Sequence, residues 1–369
     1  MKIGTITFWH SKENYGAILQ CYALLKFLNQ NGYNAKLIKT RIQPWGDLKH
    51  RWFYKFTNIL TLLFHPYQLM KLITKIKSNT KAVSGDVVDR SFSDFIDSKI
   101  PSFPGEYTFD DLNSKFIDLD AIIVGSDQVW GGFSNLYFLN FKGDFKRISY
   151  AASFGGAKFE NPFMRRKISS WLNKFDLVTV RETEGVEFCS RVGVNATMVP
   201  DPTLLLTKED YLTIIDKKEI NNQKPYVFLY LLGKSISIEV AVIMEFAKKN
   251  GLEVIYVASQ GREDDFEKVY PTVEEWLSYM RDAKYVITNS FHGSAFALLF
   301  EKPFLTFPLA GSDSKMNGRI ETMLGKYHLE DRIYSGDLRA LFNSFDNSHY
   351  KLVKAQETER VKSMLSEVL

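Results

Sequence analysis

The sequence predicts an α/β protein of two Rossmann-like domains, each built around a parallel sheet. Short apolar runs alternate with helix-periodic stretches through both halves of the chain, the pattern of successive βαβ units. At 369 residues the chain exceeds what one core usually holds. Polar turns also follow the apolar runs directly, as where Tyr285-Val286-Ile287 leads through Thr288 to Gly293 into the apolar Ser294 to Phe300. Ligands of open parallel sheets lie beyond the carboxyl ends of the strands, so a site is expected at such turns.

Lys2 to Phe8 alternates and is rich in β-branched residues, a strand. Trp9 to Gly16 is a polar loop, Ala17 to Leu28 a helix stopped by Asn31-Gly32, and Asn34 to Thr40 the strand that completes the first βαβ unit. Asn14 and Gly16 precede that helix. The unpaired N–H groups of its first turn favour an anion, and Gly16 lets a ligand approach the backbone.

Between Leu48 and Gly85 there is no Asp or Glu, whereas Lys49, Arg51, Lys55, Lys71, Lys75, Lys77 and Lys81 interleave with aromatic and aliphatic residues. This composition suits residues 49–77 to an anionic membrane surface, or else to two packed helices with a solvated basic face. The net charge of +4 is concentrated in this segment. No extended basic surface remains elsewhere, so nucleic acid is not an expected partner.

After a looser stretch over 82–118, Leu119 to Val124 reads as a buried strand that delivers Ser126, Asp127 and Trp130 at its carboxyl end. Asp127 is a candidate base, a ligand for a sugar hydroxyl beside the Trp130 ring, or an Asx turn. Arg147 to Ser153 is the next strand, Pro162 to Phe175 a helix, and Leu177 to Val180 a strand that presents Arg181. A guanidinium there grips a carboxylate or phosphate through two N–H groups, or pairs structurally with Glu182 or Glu184. Val199 to Thr203, containing Asp201-Pro202, closes the first half.

Lys217 to Lys224 reads as a linker. Pro225 to Leu232, Glu253 to Ala258, Tyr285 to Ile287 and Pro303 to Phe307 are the strands of the second domain, with helices Ile236 to Lys249 and Pro271 to Ala283 between them. Asn289 or Ser290 caps the helix after the polar turn. His292 then stands in the first helical turn, where an imidazole is suited to proton transfer to an anion, or simply bonds locally. Lys315 and Arg319, near the start of another helix, fit a phosphate. The expected organisation is a first domain over 1–205 with a basic aromatic helical insertion at about 45–115, a second over 222–345, and a terminal helix over 346–369 packed back on the first.

Two cysteines and six scattered histidines offer neither a disulfide framework nor metal-ligand spacing, so no metal is expected. There is no Gly-rich dinucleotide fingerprint and no P-loop. The start of the chain carries no leader-like apolar run, and a cytoplasmic location is expected, with peripheral membrane contact through 49–77.

Five separated pieces form an ordered set: Trp9 to Gln20, Val124 to Trp130, Tyr150 to Gly155, Thr179 to Glu182, and Asn289-Ser290-Phe291-His292-Gly293, with Asp201-Pro202 between the last two. The set resembles the polysaccharide pyruvyl transferase family across nearly the whole chain. The resemblance implies a GT-B-like arrangement with the active site in the cleft between domains. It implies transfer of the enolpyruvyl group of phosphoenolpyruvate to two hydroxyls of one sugar, giving a pyruvate ketal and phosphate, without a cofactor. Arg181 and His292 match family residues around the donor, and Asp127 joins them as an expected catalytic group. Asn14, Gly16, Ser126, Trp130, Ser153, Asn289, Ser290, Gly293, Lys315 and Arg319 are the expected substrate contacts. Some members carry Arg-Leu-His where this chain has Ser290-Phe291-His292, so Lys315 or Arg319 must supply the second cation. A saccharide acceptor, lipid-linked or polymeric, completes the expectation. The alternatives are a nucleotide-sugar glycosyltransferase of the same fold and a non-catalytic membrane-surface protein of glycan assembly.

Overall fold

The computed structural model describes residues 1–11, 13–41, 88–114, 118–157, 159, 161–215, 224–233, 238–259, 262, 264–309 and 317–369. The basic stretch 49–77 and Lys315 lie outside the described residues.

Strands β1 (Lys2–Ile6), β2 (Asn34–Leu37), β3 (Ala121–Val124), β4 (Lys146–Ala152), β5 (Leu177–Val180) and β6 (Thr197–Met198) form one sheet in the order β2-β1-β3-β4-β5-β6. Strands β7 (Tyr226–Leu231), β8 (Glu253–Ala258), β9 (Tyr285–Thr288) and β10 (Phe304–Thr306) form a second, in the order β10-β9-β7-β8. Every strand pairing is parallel. β3 and β7 are buried along their whole length, as sheets covered on both faces require. The strand order reverses between β1 and β3 in one sheet and between β7 and β9 in the other, the crevices where such sheets bind ligands.

Helix Tyr15–Gln30 joins the two sheets. It is buried on nearly every side because its apolar residues face both halves. Tyr15 stacks on Trp276 at 5.3 Å and its hydroxyl donates to the Pro271 carbonyl at 2.6 Å. One apolar cluster therefore runs from Ile3 and Ile123 through Tyr15 to Trp276 and Phe296. Helix Ser348–Val368 follows the second sheet in sequence but returns to the first half. There Arg360 Nη2 donates to the Met198 carbonyl at 2.8 Å and Lys354 Nζ to that of Leu206 at 2.6 Å.

Some elements differ from expectation. The first long helix starts at Tyr15 rather than Ala17, because Asn14 Oδ1 accepts from Ala17 N at 3.3 Å and places the cap earlier. The stretch 82–118 contains helices Phe92–Lys99 and Phe109–Ser114, and the bridges Leu37–Ser102 and Thr40–Tyr107 continue the sheet edge beyond β2. Helix Thr183–Arg191 follows Arg181 directly.

Candidate active site

Three turns at the carboxyl edge of the first sheet face one turn of the second. The first is Gly125 to Trp130. Gly125 has φ +113°, and a Cβ there would lie 2.2 Å from the Tyr150 carbonyl oxygen, so only glycine lets the chain pass. Asp127 follows at φ 66°, a left-handed position that Asp tolerates better than most residues. Ser126 Oγ donates to Gln20 Oε1 at 2.9 Å and approaches Asp201 Oδ2 at 3.3 Å. Gln20 Nε2 in turn donates to Thr7 Oγ1 at 3.0 Å, so this network closes the β1–β3 crevice.

The second turn presents Arg181 at the end of β5, with only 2% of its side chain exposed. Its Nη1 lies 2.7 Å from Asp201 Oδ2, its Nη2 3.5 Å from Asp127 Oδ1 and its Nε 3.9 Å from Glu182 Oε2. The guanidinium also covers the Phe291 ring at 4.9 Å. Glu182 is held from the other side, its Oε1 accepting from Ser153 Oγ at 2.7 Å and from Phe154 N at 3.0 Å.

The third turn carries Asp201, fixed by Thr203 N and Oγ1 at 3.0 and 2.8 Å on Oδ1. Oδ2 receives Arg181 and lies 3.5 Å from His292 Nε2. Burial is the largest influence on Asp201 and pushes its pKa up, but His292 and Arg181 together outweigh it and hold the carboxyl well below the usual range. For Arg181 burial again acts against the charge, and the surrounding Asp201, Asp127 and Glu182 raise its pKa nonetheless.

From the second sheet, β9 leads into helix Phe291–Leu299, capped by Ser290, whose Oγ accepts from Gly293 N at 3.3 Å. Asn289 spans the β7–β9 crevice instead, accepting from Leu232 N at 2.7 Å and donating to the Leu232 carbonyl at 2.8 Å. Gly293 packs on Thr288, where a Cβ would lie 2.3 Å from Oγ1. Gly16 likewise packs on His292, where a Cβ would lie 2.0 Å from Nδ1.

Arg319, near the start of helix Asn317–Lys326, enters the same cluster. With the Gln128 amide oriented so that its oxygen faces it, both Nη1 and Nη2 donate at 3.0 Å. Burial first, and the neighbouring Arg181 second, push its pKa down to about 10, against the pull of Asp127, Glu182 and Asp201. Arg181, Asp201, Phe291 and Arg319 line a common cavity of about 30 Å³. Among the described residues, Arg181 Nε and Nη2, Arg319 Nε and His292 Nε2 have no hydrogen-bond acceptor. Buried donors without acceptors, gathered beside three carboxylates, make this cluster the candidate site.

The structure thus brings together Asp127, Arg181, His292, Ser126 and Arg319. It assigns scaffold contacts to Asn14, Ser153, Asn289, Ser290 and Gly293. Two expectations need correction. Gly16 gives close approach to the His292 imidazole of the other half, not to an open backbone face. Trp130 is completely buried, stacked on Phe138 at 5.4 Å with its Nε1 donating to the Tyr137 carbonyl at 2.9 Å, so it offers no ring to a sugar. Sequence reasoning did not place Asp201, Gln128 or Gln20 among the site residues, and gave Glu182 only as a structural partner of Arg181. Gln20 carried a signal, a polar residue inside an otherwise apolar helix face, and Asp201-Pro202 another, a carboxylate immediately after a strand.

No group of His, Cys, Asp and Glu among the described residues could hold a metal ion, and no described helix is long and apolar enough to cross a membrane. Fold and site together define an α/β protein of two parallel sheets, with a buried ionic cluster between their carboxyl edges. The chain matches the polysaccharide pyruvyl transferase family over residues 14–309 and belongs to it. No curated protein matches it. Solved structures similar to it include UDP-GlcNAc 2-epimerase from Neisseria meningitidis, at 11% identity and TM-score 0.48 over 100% of this chain and 99% of that one. The Methanocaldococcus jannaschii UDP-GlcNAc 2-epimerase is 13% identical with TM-score 0.48 over 100% of both chains. The glycosyltransferase SnogD from Streptomyces nogalater is 10% identical with TM-score 0.37, over 100% of this chain and 96% of that one.

Proposed function

We propose that this protein transfers the enolpyruvyl group of phosphoenolpyruvate to two hydroxyls of one sugar in a polysaccharide or lipid-linked oligosaccharide precursor. A pyruvate ketal forms and inorganic phosphate leaves. The observation that carries this reading is the pairing of two buried guanidinium groups, Arg181 and Arg319, with an imidazole held against a buried aspartate. Phosphoenolpyruvate has two anionic groups on a small carbon skeleton, and it becomes electrophilic when its methylene carbon is protonated.

In this mechanism Arg181 and Arg319 bind the carboxylate and phosphate, and Arg319 supplies the cation that Ser290 lacks. Asp201 Oδ2, 3.5 Å from His292 Nε2, holds the imidazole in place. His292 then donates a proton to the methylene carbon, and the cationic centre that develops is attacked by an acceptor hydroxyl. The guanidinium groups stabilise the departing phosphate, and a second hydroxyl of the same sugar closes the ketal. Asp127 and Glu182 are the two carboxylates in position to take a hydroxyl proton. Two hydroxyl protons are lost in all, one ending on the new methyl group and one on phosphate.

The test is incubation with phosphoenolpyruvate and alkyl galactosides, glucosides and N-acetylmannosaminides, following phosphate release and acceptor mass. Stoichiometric phosphate and ketal are expected. Consumption of a nucleotide sugar with no reaction of phosphoenolpyruvate would sink the reading.

A further inference from the structure

Beside the ionic cluster lies a larger chamber of about 450 Å³, within the roughly 300–1,000 Å³ range of small-molecule sites. Glu182, Glu184, Glu187, Phe154, Phe188 and Arg319 line it. Arg319 borders this chamber and the 30 Å³ cavity around Arg181 alike, so its guanidinium stands at their boundary. Phe154 and Phe188 pack at 4.7 Å and form an apolar floor, while Arg191 covers the Phe188 ring at the rim. Glu182 is the informative member. Its residue is 4% exposed and its Oε1 is saturated by Ser153 and Phe154, yet its Oε2 has no hydrogen-bond partner. This oxygen lies 3.9 Å from Arg181 Nε, an ion pair without a hydrogen bond, and can still accept from a donor.

We propose that this chamber seats the acceptor sugar and that Glu182 Oε2 is the base for the first attacking hydroxyl. The proposal rests on the pyruvyl-transfer reading above. The charges of the two spaces divide the substrates. Carboxylates repel the anionic groups of phosphoenolpyruvate, which belong on the guanidinium side, and accept hydrogen bonds from neutral hydroxyls. Asp127 is the competing base. Its Oδ1 lies 3.5 Å from Arg181 Nη2 and Glu182 Oε2 lies 3.9 Å from Arg181 Nε, so both carboxylates approach the guanidinium, but Glu182 lines the chamber and Asp127 does not.

The proton inventory closes. His292 gives its proton to the methylene carbon as the first hydroxyl oxygen bonds to the adjacent carbon and passes its proton to Glu182. The carbon–oxygen bond to phosphate then breaks with its electron pair on oxygen, which takes the proton from Glu182. The second hydroxyl adds to the same carbon and returns a proton to His292. Both side chains end as they began, and the products are the ketal and hydrogen phosphate.

The experiment compares Glu182→Gln, Asp127→Asn and the double variant Glu184→Gln/Glu187→Gln with the unmodified protein, on the acceptor panel above. Phosphoenolpyruvate binding is measured by calorimetry in parallel. For Glu182→Gln, kcat should fall roughly 10²–10⁴-fold, the usual worth of general-base catalysis, with phosphoenolpyruvate affinity retained. Retained affinity also shows that this variant is folded. The double variant should raise KM for the acceptor and leave KM for phosphoenolpyruvate unchanged. A Glu182→Gln protein that turns over normally, or a collapse of kcat confined to Asp127→Asn, overturns the proposal while the pyruvyl-transfer reading stands. Unmodified protein that neither binds nor consumes phosphoenolpyruvate overturns both.

Discussion

The two walls of the site are built on opposite plans. The first sheet contributes Asp127, Arg181, Glu182 and Asp201 from three turns, with the three carboxylates gathered around the one guanidinium. The second sheet contributes His292 from a single capped helix start, and among the described residues its one ionic approach is the 3.5 Å contact to Asp201 across the cleft. One wall is therefore a fixed charge framework whose parts depend on each other. The other carries an imidazole joined to that framework by one long contact. In the proposed reaction this separation lets His292 act as the proton donor while the carboxylates and guanidinium keep their places.

The largest expected effect falls on the second wall and on activity alone. His292→Gln should lower turnover roughly 10²–10⁴-fold. Its stability in urea should change by less than about 1.5 kcal/mol, because the one polar contact to Asp201 is long and Gln keeps most of the buried side-chain volume. Equal loss of stability and activity would show that the walls are not so divided.

Asp201→Asn tests the framework from the other side. It removes the closest partner of a buried guanidinium, and breaking such pairs costs roughly 3–5 kcal/mol. The pH dependence carries the same information. The folded-state pKa of Asp201 lies below its unfolded value, so its contribution is fully present above about pH 4 and is lost as the pH falls toward the folded value. The acid limb of a stability–pH curve should therefore flatten in Asp201→Asn relative to the unmodified protein.

Gly16→Ala addresses the seam between the walls. The new Cβ would meet the imidazole at 2.0 Å, a clash in a packed site that should cost about 1–3 kcal/mol. Combined with His292→Ala the penalty should vanish, giving a non-additivity of about 0.5–3 kcal/mol in a double-mutant cycle. Strict additivity would mean that the helix shifts rather than the ring. The smallest effect belongs to Asn14→Ala, which removes a helix cap and should cost about 1 kcal/mol, recovered by Asn14→Asp.

The same contrast explains what the sequence made legible. The turn at His292 is a regular strand, cap and helix start, and local signals sufficed to find it: an apolar run, Ser290 at the cap position and the imidazole in the first turn. Arg181 was visible for a similar reason, at the end of β5. Asp201 was not, because its importance comes from residues 20 and 91 positions away, Arg181 and His292, that only the fold brings to it. Glu182 was read as a partner for Arg181, and its second contact, with Ser153, is equally long-range. Trp130 misled because a tryptophan next to a candidate carboxylate looks the same in sequence whether its ring faces a ligand or Phe138. The alternation of strands and helices, which depends on local periodicity, predicted both sheets.

The path of the chain bears on how the molecule can be divided. After building the second sheet it returns through helix Ser348–Val368, whose Val361 and Leu365 are buried and whose Arg360 reaches the backbone at Met198. The half that holds the charge framework is thus discontinuous in sequence. A fragment ending near residue 215 would display the strands of that half but leave uncovered the surface that this helix occupies. Dissection into two independently expressed pieces would need the helix grafted back onto the first, and a circularly permuted chain that starts at the second sheet would preserve what simple truncation destroys.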